Sequence, residues 1–553
     1  MGKVTDIKHV AGKSPVIYPK GDQVFEIGTV LRSPRGWPGT IITTDRNDYL
    51  ADFGTPDRNS EDGYQAKFAL YNHANTVGKY VRVVSDTAEY PYFSFQGNGV
   101  SEEGSDWVVG TTYAQYVVVT LNSIKYVSQI ANNTGNDPST DGGSNWVPLI
   151  DKSSATFATV VNPAGDISLI FMLINGEVRD NYFGLSISNK NATKQTFDVS
   201  VWEDQANPVQ VGETMTASLN VDAIAADQSS LFIESVLANK SEAVGVKMAT
   251  GASFDNIFEH DVVWFSGGND TATPSPQNYS DAWDLLRSSQ VDLDLIFMAG
   301  DATDANVQVA AAIAIERDIR LEGDCPAGLS VAAAIVWVNG LGIQTHNVSF
   351  TYGQISFNDP FYTGMRKYLR ISGFLAASKA YGREASKTII DPGIEEAPAG
   401  EEFGLIRGVS GIKNETTLSV QDKKDLAGAW INYIVNGADK GVIIWEQFTM
   451  YGEECNYAYK RNVDVINYIY HIHAQLMQKQ QFRGKSDREI IKTCSKVLKR
   501  LQTKGVLVPD ETNEEFSEAY KVWITRTGST VEINRMIRIQ YAIGPIVLKT
   551  IPY

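Results

Sequence analysis

Apolar residues change their spacing several times along this chain, and each change predicts a different kind of element. Residues 1–22 hold few apolar side chains (Val4, Ile7 and Val10 among them), with polar residues between. Such a segment cannot bury a core alone and reads as an extended N-terminal arm, ordered only when another element captures it. Phe25 to Leu31 reads as a strand, and Ser33-Pro-Arg-Gly-Trp-Pro-Gly39 is a dense turn signal. A second strand is expected over Thr40–Thr44 and a short helix over Asp48–Phe53, closed by Gly54. A helix over Gln65–Ala74 and a β-branched strand over Tyr80–Val84 follow.

Residues 95–250 lose helical periodicity. Short strands such as Leu169-Ile-Phe-Met-Leu-Ile alternate with Gly, Asn, Ser and Thr turns, which predicts one or two β-rich units inserted into an α/β domain. The α/β pattern resumes near 260. Strands are expected at Val262–Phe265, Leu293–Ala299 and Ala332–Val338, and helices at Tyr279–Arg287 and Asn306–Arg317. Strands alternating with helices imply a largely parallel sheet.

The last third is richer in helix, with amphipathic stretches over Asp422–Asn436 and Val463–Met477. In the second, Val463, Ile466, Tyr470, His473 and Met477 share a face. The next helix has every boundary signal. Ser486 and Glu489 form a capping box, Ile490, Ile491, Cys494, Val497, Leu498 and Leu501 make the apolar stripe, and Gly505 stops it. Ile537, Ile539, Tyr541 and Ile543 then alternate as in a strand with one buried face.

The pattern divides the chain into an arm (1–22), an α/β core (23–94 with 251–387), a small aromatic β module (95–150), a β-rich inserted domain (151–250), a mixed C-terminal domain (388–530) and a terminal strand or arm (531–553). The fold class is multidomain α+β, and 553 residues are too many for one core.

Composition narrows the function. A net charge of −17 argues against a nucleic-acid binder. No apolar run is long enough to span a bilayer, and the first residues lack a secretory h-region, so assembly in a cytoplasm is expected. Cys325, Cys455 and Cys494 are widely spaced, which disfavours disulfides and zinc. His471 and His473 fall on different helix faces and cannot chelate one metal. No nucleophile, metalloprotease or phosphate-loop motif appears, and no cofactor is expected. Asp301 and Asp304 follow a strand where α/β enzymes place acids, but Asp304 also suits a helix cap.

Two local signals remain. Between Lys479 and Lys504, nine Lys or Arg face two acids, a local charge of +7, so the remainder carries −24. Arg488, Lys492, Lys496 and Lys499, with Arg500 beside them, lie opposite the apolar stripe; they are either a solvated face or a surface for an acidic partner. In the aromatic module, Trp107, Tyr113, Tyr126 and Trp146 resemble the aromatics of small chitin-binding-type modules. They could stack on a surface glycan, or they could be the mini-core of a unit with little else to bury.

The order of several motifs resembles that of contractile phage tail sheath proteins. These are Phe25-Glu-Ile-Gly-Thr-Val-Leu-Arg-Ser-Pro-Arg-Gly36, Ile41-Ile-Thr-Thr-Asp45 with Tyr49-Leu-Ala-Asp-Phe-Gly54, Tyr80-Val-Arg-Val-Val84, and Phe265-Ser-Gly-Gly-Asn-Asp270 with Tyr279 and Leu285-Leu286 after it. Leu295-Ile-Phe-Met-Ala-Gly-Asp301, Glu396-Ala-Pro-Ala-Gly400, Trp430-Ile-Asn432 with Gly441-Val-Ile-Ile-Trp445, and Tyr459-Lys-Arg461 continue the series. Glu446 stands where the family has Gly, and residues 95–250 follow its pattern poorly.

The resemblance implies a non-enzymatic virion tail subunit. It would polymerise helically, as stacked hexameric rings, around an inner tail tube protein, and contract to drive the tube through the host envelope during genome ejection. It implies a tube-facing C-terminal domain, outward insertions, arms that add strands to neighbouring subunits, and contacts with baseplate and tail terminator proteins. Nucleic acid binding and membrane insertion are not expected. Two other readings compete: a different tail or baseplate component, and a glycan hydrolase using Asp301 and Asp304.

Overall fold

The computed structural model describes residues 25–539 apart from internal stretches, the longest being 158–166, 386–398, 479–485 and 510–517. The N-terminal arm with Val4, Ile7 and Val10, the residues Tyr541 and Ile543, and Glu396–Pro398 lie outside the described residues.

The chain is organised on one eight-stranded sheet in the order Ile41–Thr44, Thr76–Arg82, Phe25–Leu31, Leu295–Phe297, Arg320–Asp324, Val348–Tyr352, Asn432–Gly437, Gly441–Ile444. Six inner strands are parallel and an antiparallel strand closes each edge. Parallel strands carry helices on both faces, so both sides are buried; most of their residues are apolar, but Arg320, Glu322 and Asp324 of one central strand are buried polar residues. On one face, the helices Pro276–Ser288, Asp304–Arg317, Val331–Gly340 and Val420–Gly428 bury Trp283, Leu286, Val307, Ala310, Val338 and Leu426 against Ile296, Leu321 and Phe350. On the other, Asp62–Tyr71 and Ser372–Ala385 pack alanines onto Ile27, Tyr80 and Phe297. These two helices touch closely: a Cβ on Gly373 would stand 2.4 Å from the Gln65 carbonyl oxygen.

Several expected elements change identity. Ala332–Val338 is not a strand but part of the helix Val331–Gly340. Ser330 caps it, its hydroxyl accepting from the Ala333 N–H, and three consecutive alanines favour the helix. The stretch Asp422–Asn436 is not one helix. The helix stops at Gly428, Trp430 takes a left-handed φ of 61°, and Asn432–Gly437 joins the main sheet. Asn432–Gly437 and Gly441–Ile444 thus belong to the core sheet, not to a C-terminal domain beginning at 388.

The inserted β-rich part is a pair of four-stranded sheets. Val244–Met248, Ile167–Leu173, Tyr92–Gln96 and Gly99–Ser101 form one; Val209–Ser218, Thr196–Glu203, Phe183–Asn191 and His260–Trp264 form the other. Phe171, Leu185, Phe197, Val199, Leu237 and Phe265 fill the space between them and the helix Ile233–Lys240. His260–Trp264, which the alternation of strands and helices assigns to the α/β core, pairs with Phe183–Asn191 instead. The small module lies within this insertion, on the strands Ser105–Asp106, Val118–Leu121, Ile124–Ser128 and Trp146–Pro148.

The C-terminal unit consists of the helices Lys460–Gln478 and Asp487–Thr503 and the hairpin Tyr520–Thr527/Thr530–Ile537. Its own core holds Val465, Ile469, Leu498, Leu501, Leu507 and Ile539.

Candidate functional site

The helix Asp487–Thr503 forms as its boundary signals direct. Ser486 Oγ accepts from the Glu489 N–H, the Glu489 carboxylate answers the Ser486 N–H at 3.0 Å, and Gly505 turns the chain at φ 78°. Cys494, Val497, Leu498 and Leu501 are buried. Arg488, Lys492, Lys496 and Lys499 are exposed on the opposite side. Arg500 differs: it is half-buried and donates to the Tyr468 hydroxyl at 3.3 Å. Cations spaced three or four apart on a helix repel one another. The row therefore gains nothing from contacts among its own members.

The hairpin closes over this helix. Arg526 donates to Asp487 at the helix start, at 2.9 Å from Nε. Arg535 donates to His473 Nδ1 at 3.2 Å, and His473 Nε2 donates to the Cys494 carbonyl at 3.1 Å. Burial and the adjacent Arg535 push His473 down to about 4, so the ring stays neutral and bridges hairpin and helix. Ile537 and Ile539 are committed within the chain: Ile537 pairs with Tyr520, and Ile539 is buried and bridged to Leu507. The hairpin has two strands, so Thr530–Ile537 is paired with Tyr520–Thr527 along one edge only.

A buried charge network joins this unit to the main sheet. Arg320 donates to Glu322 (2.6 Å) and to Asp464 (2.5 Å). Lys460 Nζ and Ser349 Oγ donate to Glu322 (2.7 and 2.6 Å), and Lys379 pairs with Asp464 at 2.7 Å. Burial raises the Glu322 carboxyl, but Lys460 and Arg320 outweigh it and hold the group below its usual range. Asn467 adds a bond to the Asp318 carbonyl at 3.1 Å.

The outer sheets are joined differently. Here the turn 33–39 is a socket. Gly36 N–H donates to Asn175 O (2.9 Å), Val178 N–H to Pro34 O (3.2 Å), and the Trp37 indole to Ile174 O. Arg82 donates to the Gly36 carbonyl (2.7 Å) and to that of Gly176. Gly176 has φ 71°, and a Cβ there would meet Gly36 O at 2.5 Å. Glu177 binds Arg179 at 2.7 Å and Arg35 at 3.4 Å.

The other expected site residues fall apart as a catalytic or binding set. Trp146, Tyr113 and Tyr126 are buried together, with Trp107 packed against them, so they are a mini-core and not a sugar-stacking surface. Trp146 Nε1 donates to Asn136 O at 2.9 Å, and Asp141 collects the Asn145 and Trp146 N–H groups. Asp301 accepts from the Thr303 N–H (2.9 Å) and Asn306 Nδ2 (2.6 Å). Asp304 is not the cap, which is Thr303; it accepts from the Trp337 indole at 2.7 Å.

A cleft of about 440 Å³ beside Asp301 is lined by Arg32, Glu61, Asp62, Tyr279 and Arg370. Glu61 accepts from Arg370 Nε and Nη2 (3.1 and 3.0 Å), yet burial, with help from Asp324, pushes it up to about 7. Burial also pushes Asp62 up to about 6. The sequence reading missed this cluster because Arg370 stands 309 residues from Glu61. Among the described residues, no group of His, Cys, Asp or Glu is placed to hold a metal ion, and no helix is long and apolar enough to cross a membrane.

No family model matches the sequence, and none of the curated proteins matches it. Solved structures do. A sheath tail protein from Desulfitobacterium hafniense superposes with a TM-score of 0.54 at 12% identity, over 96% of this chain and all of that one. One from Listeria innocua gives 0.56 at 8% identity, over 94% and 93%. Identity this low speaks to architecture, and the agreement runs along nearly the whole chain: this protein has the fold of the sheath tail proteins.

Proposed function

We propose that the chain is a structural subunit of a contractile tail sheath. It assembles helically around an inner tube and shortens to drive that tube through a target envelope. The observation that carries the reading is the fold likeness to a sheath tail protein along 96% of the chain. A fold shared that far includes the core sheet, the insertions and the C-terminal unit together, so the reading applies to the whole molecule and not to one graftable domain.

In this reading the C-terminal unit faces the tube. The exposed row Arg488, Lys492, Lys496 and Lys499 meets acidic side chains on the tube. Each contact is weak, and repetition along the tube makes the sum strong. Residues 1–22 and the segment after Ile539, with Tyr541 and Ile543, donate strands to neighbouring subunits. Head-to-tail contacts that do not close produce an open helix, here of stacked rings. Baseplate and tail terminator proteins bound its two ends, and assembly takes place in the host cytoplasm before the tail joins the virion. Energy resides in the extended lattice, which is kinetically held. Subunits rotate as rigid bodies on release, so the reading assigns no catalysis and no cofactor.

Electron microscopy of the purified full-length chain tests it. Open-ended helical tubes are expected as concentration rises, and they should form more readily around the tube protein. A chain that stays monodisperse at every concentration, with and without the tube, would refute the reading.

A further inference from the structure

We propose that the outer face of the helix Val331–Gly340, centred on Val336, is a surface on which a second copy of this chain packs in the assembly; the inference rests on the homopolymer reading above.

The helix is apolar nearly all round and carries no charged residue: Val-Ala-Ala-Ala-Ile-Val-Trp-Val-Asn-Gly. Its inner side needs this, since Ala334 and Val338 are buried against the sheet. Its outer side does not. Ala332, Val336, Asn339 and Gly340 are exposed, and Val336 is 71% exposed. A helix that is hydrophobic all round is normally buried on all sides. The composition that makes this segment look like an interior strand in the sequence therefore has no explanation within the folded monomer.

The apolar surface continues onto the neighbouring helix Asp304–Arg317, which the Trp337–Asp304 bond holds alongside. On that helix Ala305, Gln308 and Ile315 are exposed, Ile315 at 51%, with Ala312 half-buried between them and the exposed acids Asp304 and Glu316 towards its two ends. On the other side is the helix Val420–Gly428, whose first residue Val420 is 72% exposed. Charged residues border the strip: Arg287 with Glu316 on one side, Lys423 and Lys424 on the other. An apolar strip inside a charged rim is the pattern of a protein–protein contact.

Charge identifies the occupant. A copy carries −17, and −24 outside the basic segment, so copies repel wherever their acidic surfaces face each other. Close packing of many copies is cheapest where neither side must bury an unpaired charge. An uncharged strip on an acidic chain meets that condition for a like copy. An acidic tube or a basic partner would instead select charged side chains at this place.

The test uses full-length Val336→Glu, with Val221→Glu as control. Val221 is 66% exposed on the outer insertion, away from the strip. Both sites are exposed, so both variants should melt with the wild type. The expected result is that Val336→Glu raises the concentration needed for tube formation at least about tenfold, and Val221→Glu leaves it unchanged. If wild type and Val336→Glu form tubes at the same concentration, the proposed contact is wrong while the sheath reading stands. If both variants lose assembly equally, added acidity and not the strip is responsible, and the proposal fails. If the wild type itself never assembles, the sheath reading fails and takes the proposal with it.

Discussion

The outer β sheets and the C-terminal unit are attached to the same central sheet by opposite means. The outer attachment is made mainly of backbone: amide and carbonyl groups of residues 34–36 and 174–178 interlock, with Arg82 and the Trp37 indole filling the remaining acceptors and a single buried ion pair, Arg35 with Glu177, beside them. The C-terminal attachment is made of side-chain charge: three cations and two carboxylates, all nearly buried, between Arg320, Glu322, Lys379, Lys460 and Asp464. Backbone bonds tolerate loss of any one side chain, because the other groups stay paired. A buried ion network does not, since removing one member strands its partners in a medium that cannot solvate them. The first joint is redundant and the second is all-or-none. An all-or-none joint fixes one angle for the unit that carries the basic row.

The largest expected effect breaks that contrast. Glu322→Gln strands Lys460 and Arg320 and should cost about 3–5 kcal/mol in denaturant unfolding. A cost under about 1 kcal/mol would show that the network is solvated and the contrast false. Acid offers a second route to the same joint. Because the folded Glu322 carboxyl lies below its usual range, its stabilising contribution is present at neutral pH and is lost as pH falls through the folded value. The Glu61 cluster has the opposite sign. Its folded value of about 7 lies above the ordinary 4.5, so stability declines as pH rises from about 4.5 to 7, by about 3 kcal/mol. Glu61→Gln should flatten that slope, and melting curves at pH 5 and pH 8 that stay parallel to wild type would contradict the assignment.

The backbone joint should respond less. Glu177→Gln keeps the interlocking amides and removes only the ion pairs with Arg35 and Arg179, for a cost of about 1–2 kcal/mol. A loss as large as that of Glu322→Gln would erase the distinction. The smallest effect on stability belongs to Lys492→Glu, Lys496→Glu and Lys499→Glu together. These sites are exposed, so unfolding should shift by less than about 0.5 kcal/mol per site. Co-sedimentation with the tube should fall sharply, and unchanged co-sedimentation would leave the basic row as a solvated face.

Local patterning determined much of the fold. The helix 487–503 was legible to its caps, because capping box, apolar stripe and terminal glycine all act within a few residues of each other. So were the strand Phe25–Leu31, the helix Pro276–Ser288 in outline and the β character of the insertion, since periodicity of 2 or 3.6 is a property of neighbours along the chain. Segments whose composition fits two partners were not legible. Val331–Gly340 is apolar enough for a buried strand, and only the cap at Ser330 and the room on the sheet's face make it a helix. His260–Trp264 reads as a strand of either sheet, and its pairing with Phe183–Asn191 depends on where the insertion folds back.

The charge network lay further out of reach. Glu322 and Lys460 are 138 residues apart, and nothing near either residue announces the other. Likewise Ile537 and Ile539 alternate as any half-buried strand does, whether the face is covered by this chain or by another. The amino-acid sequence by itself set the elements, the caps and the segregation of charge onto one helix face, because those follow from interactions a few residues long. Tertiary structure decided which strands share a sheet, which charges meet and which apolar faces are left open. Those depend on packing distant segments into one close-filled interior, where each contact exists only if the rest of the arrangement does.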